Sequence, residues 1–280
     1  MRLAGGQEGE ATIVSIVGAA LFPFISTVDA ARGLRLTCRE LKQAVADFPW
    51  EDMGTVIKGS IALWRACFPR ARGVNVGSHV VDADFLHFVG LRALDMRACS
   101  QVTDAAFVHL RGIKRLNMSW CRRATDAAFV HLRGIKELNM SYCSQATITD
   151  AAFAHLVGVQ RLKMIACNQA TITDLAFEHL RGIKELSISG CNQAAITDTA
   201  FRNLVGIQIL RMAACDQATI TDAAFEPLKG IKVLYISGCS QATITDAAFA
   251  HIKGIRVLGM LGWNTERIQA AKALGLPVSF

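Results

Sequence analysis

Six histidines recur at one place in a repeated Phe-x-His segment, and histidine is the commonest metal ligand among side chains. They are His87, His109, His131, His155, His179 and His251. A zinc site requires ligands that converge tetrahedrally and further groups that orient them, whereas a residue that appears once per repeat forms a line. We therefore expect structural or surface histidines, with no metal site and no cofactor.

Nine cysteines offer thiol chemistry, as nucleophiles, metal ligands or disulfides. The sequence has no CxxC pair, and seven of the nine occupy one position of the repeat. These seven are Cys99, Cys121, Cys143, Cys167, Cys191, Cys215 and Cys239. A catalytic cysteine would stand alone beside a basic partner, so we interpret the row as buried structural thiols suited to a reducing compartment.

Eight aspartates, from Asp82 to Asp246, each precede a short segment such as AAFVHL. A carboxylate at this place can do acid–base chemistry or cap a helix, and its strict recurrence favours capping of the first free backbone amides. The sequence contains no glycine-rich phosphate loop and no HExxH, GxSxG or kinase-type signature. Because the repeat accounts for each ionisable candidate, we predict that the protein is not an enzyme.

The spacing of the cysteines defines the repeat itself. Cys99, Cys121 and Cys143 are 22 residues apart, and the cysteines from Cys143 to Cys239 are 24 apart, with the two extra residues in the loop that follows the cysteine. Each unit contains a strand, a loop, a short helix and a closing glycine, which we expect to be left-handed. A unit of this size cannot bury its own apolar face, so the units must stack.

The segment IKRLNMSWC at 113–121 has the form LxxLxLxxC and resembles a leucine-rich repeat of the cysteine-containing class. The resemblance implies an α/β solenoid shaped as a horseshoe, with a parallel sheet on its concave face and helices on its convex face. We predict repeats over 74–262 with nine strands, the first of them degenerate and located at Val74 and Val76.

Residues 263–280 depart from the repeat, since Trp263 stands where the next cysteine would fall. We predict a C-terminal cap that contains a helix, beginning at Asn264 or Thr265 and ending at Gly275. Such a cap would cover the open side of the last repeat.

The outward-facing strand positions should line the concave face, because side chains alternate along a strand. Arginine and aromatic residues there are the types enriched at interaction hot spots. We predict partner binding by Arg97, Arg115, Asn117, Trp120, Glu137, Asn139, Tyr142, Arg161, Lys163, Arg211 and Tyr235. The alternative is that some of them are tolerated surface positions.

The formal net charge is +7, from 30 basic and 23 acidic residues. The basic residues recur once or twice per repeat without a run of five, which indicates a solvated surface and makes nucleic acid an unlikely partner. Ala11 to Val28 lacks charge over 18 residues but follows two glutamates and contains Pro23, so we expect neither a signal peptide nor a membrane span. We predict a protein of the cytoplasm or nucleus, monomeric outside any complex.

Residues 12–52 do not share the repeat, and the stretch FPFISTVDAARGLRLTCRELKQAVADFPW at 22–50 resembles an F-box. In that family the segment is a small helical module that docks on a Skp-type adaptor of a cullin-based ubiquitin ligase, and the repeats recruit a protein substrate. The matching adaptor-binding residues would be Phe22, Phe24, Ile25, Leu34, Leu36 and Cys38.

Two hypotheses follow for this N-terminal region. Either 12–52 is an adaptor-binding module and the protein is a substrate receptor, or these helices only cap the first repeat and the protein is a stand-alone interaction scaffold. The first requires an exposed apolar patch. We further expect a flexible tail over 1–11 and a connecting helical segment or N-terminal cap over 53–73.

Overall fold

A computed structural model describes Phe22 and residues 25–33, 39–239 and 241–280. The chain divides into two compact units between Asn75 and Val76. The predicted tail at 1–11 lies outside the described residues. In the part that the structure describes, no helix is long and apolar enough to cross a membrane.

The described residues of the first unit form three α-helices and one strand, followed by a second strand at the boundary. They are α1 (Thr27–Arg32), α2 (Arg39–Asp47), β1 (Glu51–Ile57), α3 (Ile61–Cys67) and β2 (Gly73–Val76). The segment 53–73, predicted to be a connecting helical segment or N-terminal cap, begins inside β1 and contains α3. The Thr55-Val56-Ile57 end of β1 is rich in β-branched side chains, which favour a strand.

An aromatic cluster forms the core of the first unit. Phe22 lies 5.0 Å from Trp50 and 5.1 Å from Phe48, measured between ring centroids. Trp50 also packs edge-on against Phe68, and its indole nitrogen donates a 2.7 Å hydrogen bond to the carbonyl of Val45. The buried indole N–H is thus satisfied, as burial of a polar group requires.

The second unit contains the repeats, each with one three-residue strand. The strands are β3 (Ala93–Asp95), β4 (Arg115–Asn117), β5 (Glu137–Asn139), β6 (Arg161–Lys163), β7 (Glu185–Ser187), β8 (Ile209–Arg211), β9 (Val233–Tyr235), β10 (Val257–Gly259) and the two-residue β11 (Val278–Ser279). Over the described ranges the sheet has eleven strands in chain order, whereas the sequence predicted nine. The two additional strands are β1 and β11, which lack the leucine pattern of the repeat.

Short helical segments return the chain from each strand to the next. The α-helices are α4 (Asp104–Phe107), α5 (Asp126–Phe129), α6 (Asp150–Phe153), α7 (Asp174–Glu178), α8 (Asp198–Phe201), α9 (Ala247–Ala250) and α10 (Thr265–Ala273), and the 3-10 helices are Asp82–Phe88, Val108–Leu110, Val130–Leu132, Arg202–Leu204 and Asp222–Leu228. The helix predicted after Trp263 is α10, where Asn264 accepts a capping hydrogen bond from the amide of Arg267.

The register aligns equivalent residues of successive repeats, so that Leu116 lies between Leu94 and Leu138. The inward side chains of the strands, the helix phenylalanines such as Phe129 and the cysteines such as Cys143 are all buried. Burial at about 25 cal/mol per Å² of apolar area is the main stabilising term.

A type II β-turn joins each helical segment to the next strand. At one such turn Arg111 has φ −55° and ψ 127°, Gly112 has φ +87°, and the amide of Ile113 donates to the carbonyl of Leu110 at 3.0 Å. The third turn position requires positive φ, which glycine adopts without strain. The prediction of left-handed glycines is confirmed at all eight turns, from Gly90 to Gly254.

The aspartates do not cap the helices as the sequence analysis expected. Threonine holds the N-cap position, as at Thr149, whose hydroxyl accepts from the amide of Ala151. Asp150 is the first helical residue, and its carboxylate accepts from the amide and hydroxyl of Thr173 in the next repeat. Thr and Asp are both favourable N-cap residues. Here the aspartate carboxylate is engaged by the threonine of the next repeat, and the N-cap position is held by threonine.

The two-residue insertion in the longer repeats brings a glutamine into contact with the preceding unit. Gln193 is buried, and its amide nitrogen donates to the carbonyl of Cys167 at 3.1 Å. Gln101 in a short repeat is exposed instead. The insertion therefore adds at least one hydrogen bond between neighbouring repeats wherever it occurs, from Gln145, which makes two, to Gln241.

Candidate functional site

The outward side chains of β3 to β10 form two rows on one face of the sheet, hereafter the strand face. In the first row Arg115 lies beside Glu137, which lies beside Arg161, and the row is apolar from Ile209 onward. The second row contains Asn117, Asn139, Lys163, Arg211 and Tyr235 in the same register. The structure thus places the predicted partner-binding strand residues on one surface.

Charges on the strand face are partly paired with each other. Arg161 forms an ion pair with Glu137 of the preceding strand, and Arg211 forms one with Glu185. The guanidinium of Arg211 also lies 5.7 Å from the ring centroid of Tyr235. Exposed pairs of this kind contribute little stability, so they mainly fix where the charges are presented.

A buried carboxylate organises the first repeats of the strand face. Asp95 accepts a 2.6 Å hydrogen bond from Nη2 of Arg97 and one of 3.0 Å from Nδ2 of Asn117. Burial raises the pKa of Asp95, but the hydrogen bonds from Arg97 and Asn117 outweigh it and hold the pKa below its ordinary value. The Asp95 carboxylate in turn raises the pKa of Arg97. Arg97 is therefore held in place with its side chain about two-thirds exposed.

Two aromatic residues occupy left-handed backbone positions just after β4 and β5. Trp120 has φ +65° and Tyr142 has φ +61°. Their amides are held by hydrogen bonds to the next repeat, to the carbonyls of Ser141 and Ile165 at 3.0 and 2.8 Å. Bulky residues rarely adopt positive φ, which costs about 1–2 kcal/mol each. The ladder between repeats imposes this conformation on whichever residue stands there.

The two rings stack on each other at the surface. Their centroids are 4.2 Å apart with an interplanar angle of 13°, and the residues remain 43% and 38% exposed. The guanidinium of Arg122 lies 5.2 Å from the Trp120 ring centroid. We call Trp120, Tyr142 and Arg122 the aromatic stack. It offers a flat, rigid apolar surface with a cation beside it.

The other repeats carry only small residues at the left-handed position. These are Ala98, Ala166, Gly190, Ala214, Gly238 and Gly262. Strain without a compensating core contact is typical of functional positions. The sequence itself marks the two aromatic residues as exceptional, since alanine or glycine occupies the equivalent position of the other repeats. Sequence reasoning found Trp120 and Tyr142 but missed Arg122 and the reason for the stack.

Of the residues predicted to bind an adaptor, two are described. Phe22 is 2% exposed within the aromatic cluster of the first unit, so its side chain is a core residue there and cannot serve as part of an exposed patch. Ile25 is half-buried. Phe24, Leu34, Leu36 and Cys38 lie outside the described residues.

The rows of histidine and cysteine have local structural contacts. Nδ1 of His155 accepts a hydrogen bond from Nε of Arg133 at 3.3 Å. The thiol of Cys143 contacts the carbonyl of Met118 at 3.3 Å, and burial raises its pKa to about 11. Within the described residues, no three His, Cys, Asp or Glu side chains come together as a metal-binding group.

An α/β leucine-rich-repeat solenoid is the class of fold defined by the parallel sheet, the aligned leucines and the returning helices. Three solved leucine-rich-repeat structures share it. TLR13 in complex with ssRNA13 has 20% identity, a TM-score of 0.60 and coverage of 77% of this chain and 31% of that one. Toll of Drosophila, in complex with Spatzle, has 16% identity, a TM-score of 0.55 and coverage of 80% and 34%. Mouse RP105, in complex with MD-1, has 15% identity, a TM-score of 0.53 and coverage of 75% and 38%.

The likeness to these structures concerns the fold, and the chain spans about a third of the length of each solved chain. No protein-family model matches the sequence, and no curated protein does so.

Proposed function

We propose that the protein is a non-enzymatic protein-interaction module that binds a protein partner on the strand face and on the aromatic stack, which follows β4 and β5. The aromatic stack is the observation that carries this proposal. Trp120 and Tyr142 are held at a strained backbone position, packed on each other and still more than a third exposed. Burial of these rings by a partner would offset the free-energy cost of the strained backbone, because Trp, Tyr and Arg dominate interaction hot spots.

The surroundings of the stack support a protein partner of mixed polarity. Arg97 and Arg122 provide cations, Asn117 and Asn139 provide amides, and the later repeats add Tyr235 with half-buried aliphatic residues. An apolar centre with a polar rim is the usual composition of a protein interface. Rigid anchors reduce the entropy lost on binding, which favours affinity.

The test is quantitative affinity capture from cell extract with the wild-type chain and Trp120→Gly. Glycine accepts the left-handed conformation, so the variant removes the aromatic surface without adding strain. Leu175→Ala is the matched control, since Leu175 is a 58% exposed apolar residue on a helix. Proteins retained by the wild type and the control but lost by Trp120→Gly support the proposal. Identical retention by all three chains contradicts it.

We further propose that the chain is a substrate receptor of a cullin-RING ligase, with an F-box-like segment in 12–52 that docks a Skp-type adaptor. Its support is the sequence resemblance and the order of the two units. Because Phe22 is a core residue, the docking surface has to be formed by other residues, among which Leu34 and Leu36 are the candidates.

Direct binding to a purified Skp-type adaptor tests the adaptor hypothesis. We expect the full chain to bind, and the double variant Leu34→Asp, Leu36→Asp to lose binding while its repeats remain folded by circular dichroism. Trp120→Gly should retain the adaptor. A full chain that binds no adaptor would leave the alternative proposal, a stand-alone interaction scaffold in which the same strand face binds the partner without a ligase.

A further inference from the structure

One edge of the second unit concentrates basic residues, at six of its eight turns, although these residues are dispersed in the sequence. The edge consists of the turns that join helical segments to strands, at 89–92, 111–114, 133–136, 157–160, 181–184, 205–208, 229–232 and 253–256. These eight turns contain eleven lysines and arginines and no acidic residue. All eleven basic residues are exposed. We call this surface the basic edge.

The backbone ladder aligns the turns into a continuous row. The amide of Lys114 donates to the carbonyl of Arg92, that of Lys136 to Lys114, and the series continues to Arg256, whose amide donates to Lys232 at 2.9 Å. At roughly 4.8 Å between neighbouring strands, the row is about 34 Å long. The parallel register therefore concentrates charge that the sequence distributes over 168 residues, from 89 to 256.

The cations of the basic edge contact neutral groups rather than carboxylates, as Arg133 does at His155, Arg181 at Asn203 and Lys232 at Gln208. Among the ion pairs of the described residues, none involves a residue of the basic edge. Nζ of Lys114 and Nζ of Lys136 instead contact the carbonyls of Gly134 and Gly158 at 3.2 and 3.3 Å, which directs both amines along the row. The two glutamates that follow these turns, Glu137 and Glu185, are neutralised on the strand face by arginines.

The opposite edge has the reverse charge. Its loops, from 99–104 to 239–246, contain eight aspartates and only two basic residues, Arg122 and Arg123. An acidic edge and a basic edge on one unit orient an approaching polyanion toward the basic side. The basic edge thus carries eleven positive charges, whereas the loops of the opposite edge carry a net six negative charges.

A depression on the basic edge has the side chains that bind phosphate. It has a volume of about 350 Å³ and is lined by Arg111, Arg133, His131, Val130 and Gly112. Two arginines from adjacent repeats and a histidine line the depression, and guanidinium binds phosphate oxygens through paired hydrogen bonds.

We propose that the basic edge binds the phosphate backbone of a nucleic acid, with one phosphate seated between Arg111 and Arg133. The charged residues of the row are all lysine or arginine, and the row has no aromatic residue, as expected for contacts that neutralise phosphates without reading bases. A protein interface would instead have an apolar centre, and the exposed large apolar residues of the row are three valines in separate turns, Val89, Val157 and Val205. At 3.4 Å per nucleotide, the row matches roughly ten nucleotides. This binding is separate from the proposed protein interaction on the strand face.

Fluorescence anisotropy with labelled 20-nucleotide single-stranded RNA and 20-base-pair duplex DNA tests the proposal on the full chain. We expect binding at low salt with a slope of log K against log salt of about −3 to −5 for whichever form is bound. The edge variant Arg111→Glu, Arg133→Glu, Arg181→Glu should weaken binding at least about 100-fold and reduce the slope by about 3.

The matched control is Lys58→Glu, Arg123→Glu, Lys272→Glu, which makes the same change in net charge at exposed positions off the basic edge. It should bind within about threefold of the wild type, with both variants folded by circular dichroism. Equal losses in the two variants would overturn the proposal, because they would reflect net charge alone. Failure to bind both probes at 50 mM salt would also overturn it, and so would edge-dependent binding to phosphatidylserine vesicles without nucleic acid binding.

Discussion

Thr149 donates two hydrogen bonds to the carboxylate of Asp126 in the preceding repeat, from its amide at 2.8 Å and from its hydroxyl at 2.7 Å. The same pair recurs from Asp82–Thr103 to Asp222–Thr245. Each threonine hydroxyl from Thr125 onward also accepts a hydrogen bond from its own helix. This ladder couples the starts of the seven helical segments that follow Thr103 to Thr245 to the unit before each of them.

Removal of one carboxylate from the ladder should destabilise the repeats. Asp150→Ala leaves the amide and hydroxyl of Thr173 without their acceptor, and we expect a loss of about 2–4 kcal/mol in the free energy of unfolding. Asp246→Ala is the control, because Asp246 is exposed at the end of the ladder and makes no side-chain cap. Urea denaturation measures both variants. Equal midpoints for the two would disprove the role of the ladder.

Trp120→Gly should be close to neutral for stability. The variant relieves the cost of a left-handed tryptophan but loses the stack on Tyr142, and each effect is about 1 kcal/mol. Phe129→Ala, in the buried core, should by contrast cost about 3–5 kcal/mol. Thermal unfolding of the two variants checks the difference. A large loss of stability in Trp120→Gly would show that the stack is structural.

Alkaline pH should unfold the repeats because their thiols are buried. Burial raises the pKa of Cys143 to about 11 and that of Cys191 to about 12, whereas an unfolded cysteine has a pKa of about 8.5. The folded state keeps its protons longer, so its stability is intact below pH about 8.5 and falls toward pH 11, by about 1.4 kcal/mol per unit and thiol.

Urea midpoints at pH 7, 8, 9 and 10 measure this loss. The double variant Cys143→Ala, Cys191→Ala should have a shallower decline above pH 8.5 than the wild type, since two of the titrating thiols are gone. Parallel curves for the two proteins would refute the assignment to thiols.

Acid should weaken the network around Asp95. The pKa of Asp95 is lowered by Arg97 and Asn117 in spite of burial. The ionised carboxylate therefore contributes to the free energy of unfolding above its unfolded pKa of about 3.9, and this contribution disappears as the pH falls through the lower folded pKa. We expect Asp95→Asn to destabilise the protein by about 1–2 kcal/mol at pH 6 and much less at pH 2.5. Asp47→Asn, which removes an exposed ion pair with Arg70, should have little effect at either pH.

Much of the fold could be predicted because the chain repeats one structural unit. The strand leucines, the left-handed glycines and the buried cysteines recur in register, and one correct unit predicts the others. β1 and β11 were missed because they do not contain that pattern. The N-cap was assigned to aspartate rather than threonine because the carboxylate acts on the next repeat, which local sequence does not show.

The strand face was also predictable in its composition but not in its geometry. Alternation placed Arg115 and Asn117 outward, whereas the stacking of Trp120 on Tyr142 depends on a turn whose handedness is imposed by hydrogen bonds to the next repeat. Likewise the basic edge follows from the register of the sheet. Dispersal of charge in the sequence had indicated a merely solvated surface.

The Asp–Thr ladder also determines how the molecule can change in length. Deletion of residues 167–190 removes one 24-residue repeat. Thr197 then takes the position of Thr173 and can donate the same hydrogen bonds to the carboxylate of Asp150. Such deletions and duplications preserve the Asp–Thr hydrogen bonds between the repeats that remain, while they shorten or extend the strand face and the basic edge together. The length of both surfaces can therefore change in evolution by one repeat at a time, without substitution of the binding residues in the repeats that remain.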